Sequence, residues 1–172
     1  RPEFKMLYKN EIDRLKNAHG NYLLFVSSFG VITRSALEFQ LSVCPKSEIA
    51  TVRRSYEAFK DYVVLLKRLA EEYCGKLIIR PHTSESIDEW ERIFAGFDNI
   101  YVVRDGDVTP WLLGSFGVLT YRSTVAIQAA LNGIPVVQYK INDIDEIDGT
   151  VYKVSYCAES IEDVMRYLNV KN

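Results

Sequence analysis

Short, continuously apolar runs alternate with longer amphipathic segments along this chain of 172 residues. Such runs are typical of strands that are covered on both faces, as in a parallel sheet, because their hydrophobicity does not alternate from residue to residue. Six runs are expected to be strands: Tyr22–Ser28, Leu77–Arg80, Ile100–Val103, Phe116–Tyr121, Pro135–Tyr139 and Val151–Ser155.

The segments between the runs carry helix signals. Helices are expected over Leu7–Ala18 and Ser47–Tyr73, and others should start at Ser86, Thr109, Ser123 or Thr124, and Ser160. This alternation predicts an α/β fold, a Rossmann-like doubly wound parallel sheet of about six strands with helices on both faces. Residues 1–172 should form one such domain, with Phe29–Lys46 as a long loop over one edge.

Composition excludes several classes of protein. A net charge of −2 gives no overall field for nucleic acid or a membrane surface, and neither partner is expected. Three widely spaced cysteines favour neither a disulfide framework nor a zinc site, so a reducing cytoplasm is expected. No apolar run approaches the roughly 20 residues that span a bilayer. The chain opens on Arg1 rather than methionine and is expected to be a piece of a longer protein.

Polar residues follow four of the expected strands directly. The four segments are Ser27–Gly30, Arg80–Glu85, Arg104–Asp107 and Tyr121–Thr124. Since ligands of open α/β sheets bind beyond the carboxyl ends of the strands, these segments should gather at one edge.

A phosphate-sized site is indicated at Ser123 and Thr124. Two hydroxyls, free backbone N–H groups at a helix start and the nearby Arg122 would suit an anion. The alternative is that one hydroxyl merely caps the helix. No glycine-rich phosphate loop is present, which disfavours a dinucleotide or an ATP γ-phosphate held in that way.

His82 lies just past a strand, after Pro81, which stiffens its presentation. It would either be a core residue with both ring nitrogens satisfied or donate a hydrogen bond to a phosphate or leaving-group oxygen. Arg80 would assist it or form an ion pair with Glu85. The other histidine, His19, precedes a glycine and is expected at a helix end.

A complete catalytic set is not evident in the sequence. No spacing of histidine, cysteine and acidic residues suggests a metal, and no GxSxG nucleophile elbow occurs. Turn chemistry accounts for Asp105 and Asp107. The acidic run from Asp143 to Asp148 is expected to be a solvated loop that could cover a ligand.

Three stretches, "LIIRPHTSESIDEW", "NIYVVRDGDVTPWLLGS" and "VLTYRSTVAIQAALNGIPVVQY", together carry a resemblance. In this order and spacing the chain resembles the C-terminal half of bacterial surface-carbohydrate biosynthesis proteins. These are similar to GT-B glycosyltransferases, in particular the Kdo transferases of capsule and lipopolysaccharide synthesis. The resemblance covers nearly the whole chain and is weakest over Phe29–Ser47.

The resemblance implies a domain that binds a nucleotide-sugar donor, most simply a CMP-activated sugar such as CMP-Kdo. It assigns a catalytic contact with the donor phosphate to His82, and further phosphate contacts to Arg80, Ser123 and Thr124. The nucleoside would be bound by the loop containing Asp105, Gly106, Val108 and Trp111, together with Gln128. It implies no cofactor and no metal, the donor being a substrate. The glycan acceptor and the general base would belong to an absent N-terminal domain, so the isolated chain is expected to be inactive.

Two positions depart from the family pattern. Thr83 replaces the usual proline after the histidine, and Gln128 replaces a glutamate that often binds the ribose hydroxyls. A neutral amide binds a hydroxyl more weakly than a carboxylate does. A member that binds its donor without turnover is therefore an alternative.

Other interpretations remain open from the residues alone. A CDP-glycerol glycerophosphotransferase-like domain would use a similar layout and also release CMP. A UDP-sugar transferase or a UDP-GlcNAc 2-epimerase-like domain shares the fold. An alternative of another class is a non-catalytic α/β binding module, such as a receiver-like domain. A receiver-like domain would need an acidic cluster at the end of the first strand, where this chain has Ser27 and Ser28.

Overall fold

Six parallel strands form the central sheet of the computed structural model, which describes residues 2–140 and 149–169. The strands are β1 Tyr22–Val26, β2 Lys76–Arg80, β3 Ile100–Val102, β4 Gly117–Thr120, β5 Val136–Tyr139 and β6 Tyr156–Ala158. They are arranged in the order β3-β2-β1-β4-β5-β6. This is the strand order of a Rossmann-like fold, so the predicted fold class is confirmed.

Helices cover both faces of the sheet. They are α1 Pro2–Leu7, α2 Lys9–His19, α3 Arg34–Val43, α4 Ile49–Glu72, α5 Ile87–Ile93, α6 Val108–Gly114, α7 Val125–Leu131, α8 Gly149–Lys153 and α9 Ile161–Tyr167. Alternate residues of β1 point to opposite sides: Leu23 and Phe25 join the core under α4, α5 and α9, and Leu24 joins the core under α2, α6 and α7. Burial of both faces explains the continuously apolar strands. No helix in the described ranges is long and apolar enough to cross a membrane.

Helix α4 is longer than the sheet it covers. Its 24 residues extend about 36 Å at 1.5 Å per residue, whereas the five residues of β1 extend roughly 17 Å. The buried residues of α4 lie between Phe59 and Ala70, and none lies in the first ten residues of the helix. Its first half therefore projects past the carboxyl edge of the sheet, where α3 packs against it.

Two expectations for secondary structure were wrong. The segment Phe29–Lys46, expected as a loop, contains α3, whose N-cap Thr33 accepts a hydrogen bond from Ala36 N at 3.1 Å. No residue of α3 is buried, so the apolar periodicity that signals a helix is weak there.

The second error concerns the last expected strand, Val151–Ser155. Its first half belongs to α8, and the strand β6 follows at Tyr156–Ala158. Buried Val151 and Tyr152 make α8 apolar, and a short apolar run does not distinguish a strand from a buried helix. The acidic run from Asp143 to Asp148 lies outside the described residues.

The helix starts follow the expected chemistry at Ser86 and Ser160. Their hydroxyl oxygens accept hydrogen bonds from Glu89 N at 3.3 Å and Asp163 N at 3.1 Å. Helix α6 instead has its cap two residues before the expected Thr109, because the carboxylate of Asp107 is the cap and accepts from Thr109 N at 2.8 Å. The hydrogen bonds from Thr109 lower the pKa of Asp107.

Candidate functional site

The strand order of the sheet reverses between β1 and β4, which makes their carboxyl ends the topological switch point. The two ends are bound to each other: Ser28 Oγ donates to the carbonyl oxygen of Tyr121, and Thr120 Oγ1 donates to that of Val26 at 3.1 Å. The Phe29 ring stacks on Tyr121 with ring centres 4.9 Å apart. The ends of β1 and β4 are therefore held together by hydrogen bonds and by ring stacking.

Glu85 joins the loops that follow β1 and β2. Its side chain is buried, at 3% exposure. One carboxylate oxygen accepts from Ser27 Oγ at 2.9 Å and Gly30 N at 3.1 Å. The other accepts from His82 N at 3.3 Å and from the indole N–H of Trp90 at 2.9 Å. Four donors satisfy a buried negative charge, as such a charge requires.

The His82 side chain is exposed at the end of β2, so the alternative of a core histidine is wrong. Its Nδ1 lies 2.8 Å from Ser84 Oγ and accepts a hydrogen bond from Ser84 N at 3.3 Å. An Nδ1 that accepts from a backbone N–H carries no proton, so the neutral ring is protonated at Nε2. The second nitrogen is then a hydrogen-bond donor.

Arg104 holds the turn that carries His82. Its Nη2 donates to the carbonyl oxygen of His82 at 2.9 Å and to that of Glu85. The turn from His82 to Glu85 is thus bound from inside by a carboxylate and from the β3 side by a guanidinium. His82 is exposed, but its backbone is fixed.

Arg80 has a different environment from the one expected for a phosphate ligand. It is 7% exposed and donates to the carbonyl oxygens of Asp105 at 2.7 Å, Gly106 at 2.8 Å and Arg104 at 3.2 Å. Its guanidinium carbon lies 5.6 Å from the centre of the Trp111 ring. Burial lowers the pKa of Arg80. Within the described residues Arg80 and Glu85 have these separate partners, so the ion pair considered between them does not form.

The expected nucleoside loop is at the outer strand of the sheet. Asp105 and Gly106 are exposed, and Gly106 adopts a φ of +68° that favours glycine. Val108 is half-buried and Trp111 is buried at 7% exposure. Asp105, Gly106 and one side of Trp111 line a cavity of about 380 Å³, whose opposite wall is formed by α2.

The segment after β4 is held in a turn. Arg122 has a φ of +51°, and its N–H donates to the buried side chain of Gln138 at 2.9 Å. Ser123 Oγ accepts from Val125 N at 3.3 Å, whereas Thr124 stands at the N-cap with no capping hydrogen bond from its side chain. Capping therefore accounts for the hydroxyl of Ser123 and leaves that of Thr124 exposed at the switch point.

Gln128 lies one turn into α7 and is exposed. Its backbone carbonyl accepts from Asn132 Nδ2 at 2.8 Å. It stands with Ser123 and Thr124 on the β4 side of the switch point, away from the loop of Asp105.

The strand order decides which of these residues share a site. Neighbouring strands lie about 4.8 Å apart, so the end of β3 is roughly 14 Å from the end of β4, with β2 and β1 between them. From β3 to β4, the polar groups along this edge are the Asp105 loop, His82, Ser28, and Ser123 with Thr124. The edge is long enough for a ligand whose anionic group lies at β4 and whose other end reaches β3.

Sequence reasoning did not assign the groups that support the site, namely Glu85, Arg104 and Gln138. Glu85 and Gln138 are buried, at 3% and 0% exposure, although long polar side chains are mostly exposed. The signal available for Glu85 in the sequence was its position, one residue before the capping Ser86 and five before Trp90. No group of three potential metal ligands occurs within residues 2–140 and 149–169.

No family model matches this chain, and no curated protein matches it. Among solved structures, a haloacid dehalogenase-like family hydrolase from Streptococcus pneumoniae is similar over 86% of this chain and 98% of that one. The sequence identity is 11% and the TM-score is 0.41. A likeness at this level carries no argument about activity. What the fold itself defines is a Rossmann-like α/β domain with polar residues at its switch point.

Proposed function

We propose that this chain is the donor-binding domain of a GT-B glycosyltransferase for surface polysaccharide, and that its donor is a CMP-activated sugar such as CMP-Kdo. The observation that carries the proposal is the alignment of His82, Ser28, Ser123 and Thr124 along the switch-point edge. Such an edge is where Rossmann-like sheets bind nucleotides.

The phosphate of the donor would lie between His82 and the Ser123–Thr124 turn. His82 Nε2–H would donate to a phosphate oxygen, with Ser84 fixing the tautomer. The exposed hydroxyl of Thr124 would donate as well. As the glycosidic bond to CMP breaks, negative charge develops on the departing phosphate, and fixed donors stabilise that charge. His82 is in this proposal the catalytic residue.

Arg80 contributes indirectly here, in contrast to the expectation that it binds phosphate. Its donors are committed to the backbone of residues 104–106. It would therefore position the loop of Asp105 and Gly106 for the nucleoside. Trp111 would support that loop from below through its contact with Arg80.

The acceptor glycan would be bound by a second domain that faces this edge, as in other GT-B enzymes, and that domain would supply the general base. We expect the isolated chain to bind the donor without transferring sugar. We also expect the full enzyme to act in the cytoplasm, at most peripherally associated with the membrane. No nucleic acid, metal or other cofactor is part of the proposal.

Calorimetric titration of the chain with CMP, UDP, GDP and AMP tests the proposal. We expect CMP to bind at least tenfold more tightly than the others, and His82→Ala or Thr124→Ala to weaken CMP binding about ten- to a hundredfold, as for loss of one hydrogen bond to a charged group. Ser123→Ala should weaken it less, because Ser123 also serves the helix start. Ser47→Ala, at an exposed serine outside the edge, is the matched control.

The remaining outcomes identify the alternatives. A preference for UDP would favour a UDP-sugar transferase or an epimerase-like domain. In an additional titration, CDP-glycerol binding as tightly as CMP would favour a glycerophosphotransferase-like domain. Binding of no nucleotide, with the variants folded, would contradict the proposal and favour a non-catalytic module, in keeping with Gln128 at the position of the family's glutamate.

A further inference from the structure

A second cavity of about 510 Å³ lies on the side of the molecule formed by α3, α4 and α5. It extends along one stripe of α4, from Tyr56 through Val63 to Lys67. This span of helix corresponds to about 16 Å. The start of α3 and the side of α5 form the other walls. None of its lining residues belongs to the proposed donor site.

The floor of this side cavity is apolar. Phe59 and Ile32 are almost fully buried, at 5% and 6% exposure, and Val63 and Ile93 lie half-buried beside them. The Tyr56 ring stacks on Phe59 at 5.9 Å between ring centres. Such a floor favours a flat, apolar body of the size of one or two rings.

Among the described residues, the rim of the side cavity carries four cations and no carboxylate. The cations are Arg34, Lys60, Lys67 and Arg92. Three of them are paired along their own helices, with Glu38, Glu57 and Glu89. The Arg34, Lys60 and Arg92 side chains are 86%, 52% and 73% exposed, so these pairs are weak and a ligand can compete for the cations.

Lys67 differs from the other three cations. Within the part of the chain that the structure describes, Lys67 has no ion-pair or hydrogen-bond partner. It is only half-exposed and lines the side cavity. Two guanidinium groups and two ammonium groups around one opening match a group with several charged oxygens, since arginine binds phosphate through paired donors.

We infer that the side cavity binds a small soluble phosphate ester with an apolar or aromatic body, distinct from the sugar donor. The apolar body would lie on Phe59, Val63 and Ile93, and the phosphate would lie among the rim cations. The β1–α3 connection from Gly30 to Thr33 joins this cavity to the switch-point edge, so a bound ester would contact the chain that leaves the donor site.

Calorimetry with 1-naphthyl phosphate as the probe tests this inference. We expect it to bind the full chain at least tenfold more tightly than 1-naphthol or inorganic phosphate, each of which offers half of the ligand. Lys67→Gln combined with Arg92→Gln should weaken its binding at least tenfold. Lys16→Gln combined with Arg166→Gln removes the same charge from exposed positions elsewhere and should leave it unchanged.

Two further measurements distinguish binding in the side cavity from binding at the donor edge and from adsorption to lipid. His82→Ala should not alter the affinity for the naphthyl ester. If the ester were bound at the donor edge instead, this substitution would weaken its binding. Co-sedimentation with phosphatidylcholine vesicles containing phosphatidic acid should be negligible. No binding of the ester, binding that survives loss of Lys67 and Arg92, or binding to the vesicles alone would each overturn the inference.

Discussion

The Arg80 guanidinium donates a 2.7 Å hydrogen bond from Nη1 to the carbonyl oxygen of Asp105, so a buried arginine at the end of β2 holds the loop after β3. Both residues belong to the site expected from the sequence, but they are bound to each other. The guanidinium of Arg80 thus supports the backbone of residues 104–106.

Replacement of Arg80 should therefore reduce stability. We expect Arg80→Gln to lower the free energy of unfolding by about 2–4 kcal/mol, because the three backbone carbonyl groups of residues 104–106 lose a charged donor and the loop after β3 loses its support. Urea denaturation measures the change. Arg166→Gln, which removes an exposed arginine of α9, should change stability by less than about 0.5 kcal/mol. Equal effects of the two substitutions would show that Arg80 is not a structural residue.

Glu85 offers a substitution of nearly identical shape. Its carboxylate is the acceptor in all four of these hydrogen bonds, and each of its oxygens accepts two. Glu85→Gln places an NH2 group opposite two of these donors, and we expect a loss of about 1–3 kcal/mol in unfolding free energy. Because His82 N is one of the donors, CMP affinity should also fall. Glu91→Gln, at an exposed position of α5, is the matched control, and an equal response from both variants would contradict this role.

The tautomer of His82 follows from its contacts with Ser84. The ring is expected to carry its proton on Nε2 wherever it is neutral, since Nδ1 accepts from Ser84 N. Long-range ¹H–¹⁵N correlation spectra of the ring nitrogens distinguish the two tautomers directly. A spectrum dominated by the Nδ1-protonated form would remove Nε2–H as the proposed donor to the phosphate.

Much of this architecture could be predicted from the sequence because the signals are local. Continuous apolar runs predicted β1 to β5, and serine caps predicted the starts of α5 and α9 at Ser86 and Ser160. The signals failed where burial is slight or the run is short. Helix α3 buries no residue, and Val151–Ser155 is too brief to separate a buried helix from a strand.

The site was predictable only to the level of the strand ends. Parallel-sheet logic brought the loops of His82 and Ser123 to one edge, but it could not assign side-chain partners. Glu85 meets donors from Ser27 and Gly30, more than fifty residues earlier in the chain. The local sequence suggested an ion pair between Glu85 and Arg80. Both residues instead bind groups that are distant in the chain.

The close approach of Gly114 to Tyr22 provides a packing prediction. A Cβ at Gly114 would lie 2.5 Å from the Tyr22 hydroxyl oxygen, which donates to the Trp111 carbonyl at 2.7 Å. Gly114→Ala should cost about 1–3 kcal/mol through overpacking. In a Tyr22→Phe background the nearest ring atom would be 3.4 Å away, so the same substitution should cost less. A double-mutant cycle in urea measures this coupling, and strict additivity would contradict the proposed clash.

The environment of His19 should make the stability of the protein depend on pH. Burial, with Lys76 adding to it, lowers the pKa of His19 from 6.5, and its Nδ1 is buried without a hydrogen-bond partner in the described structure. The unfolded chain therefore binds the His19 proton at higher pH than the native protein does. Its contribution favours folding fully above pH 6.5 and is lost progressively as the pH falls below that value.

His19→Phe tests this prediction, because phenylalanine preserves a ring against Tyr22, Tyr101 and Trp111 but does not titrate. Urea unfolding of both proteins between about pH 7.5 and 5 gives the two slopes, and carboxylates contribute equally to each. We expect the wild type to lose more stability than the variant as the pH falls through this range. Parallel slopes would mean that His19 has the same pKa in the folded and unfolded chain, and that its ring is hydrated at the end of α2.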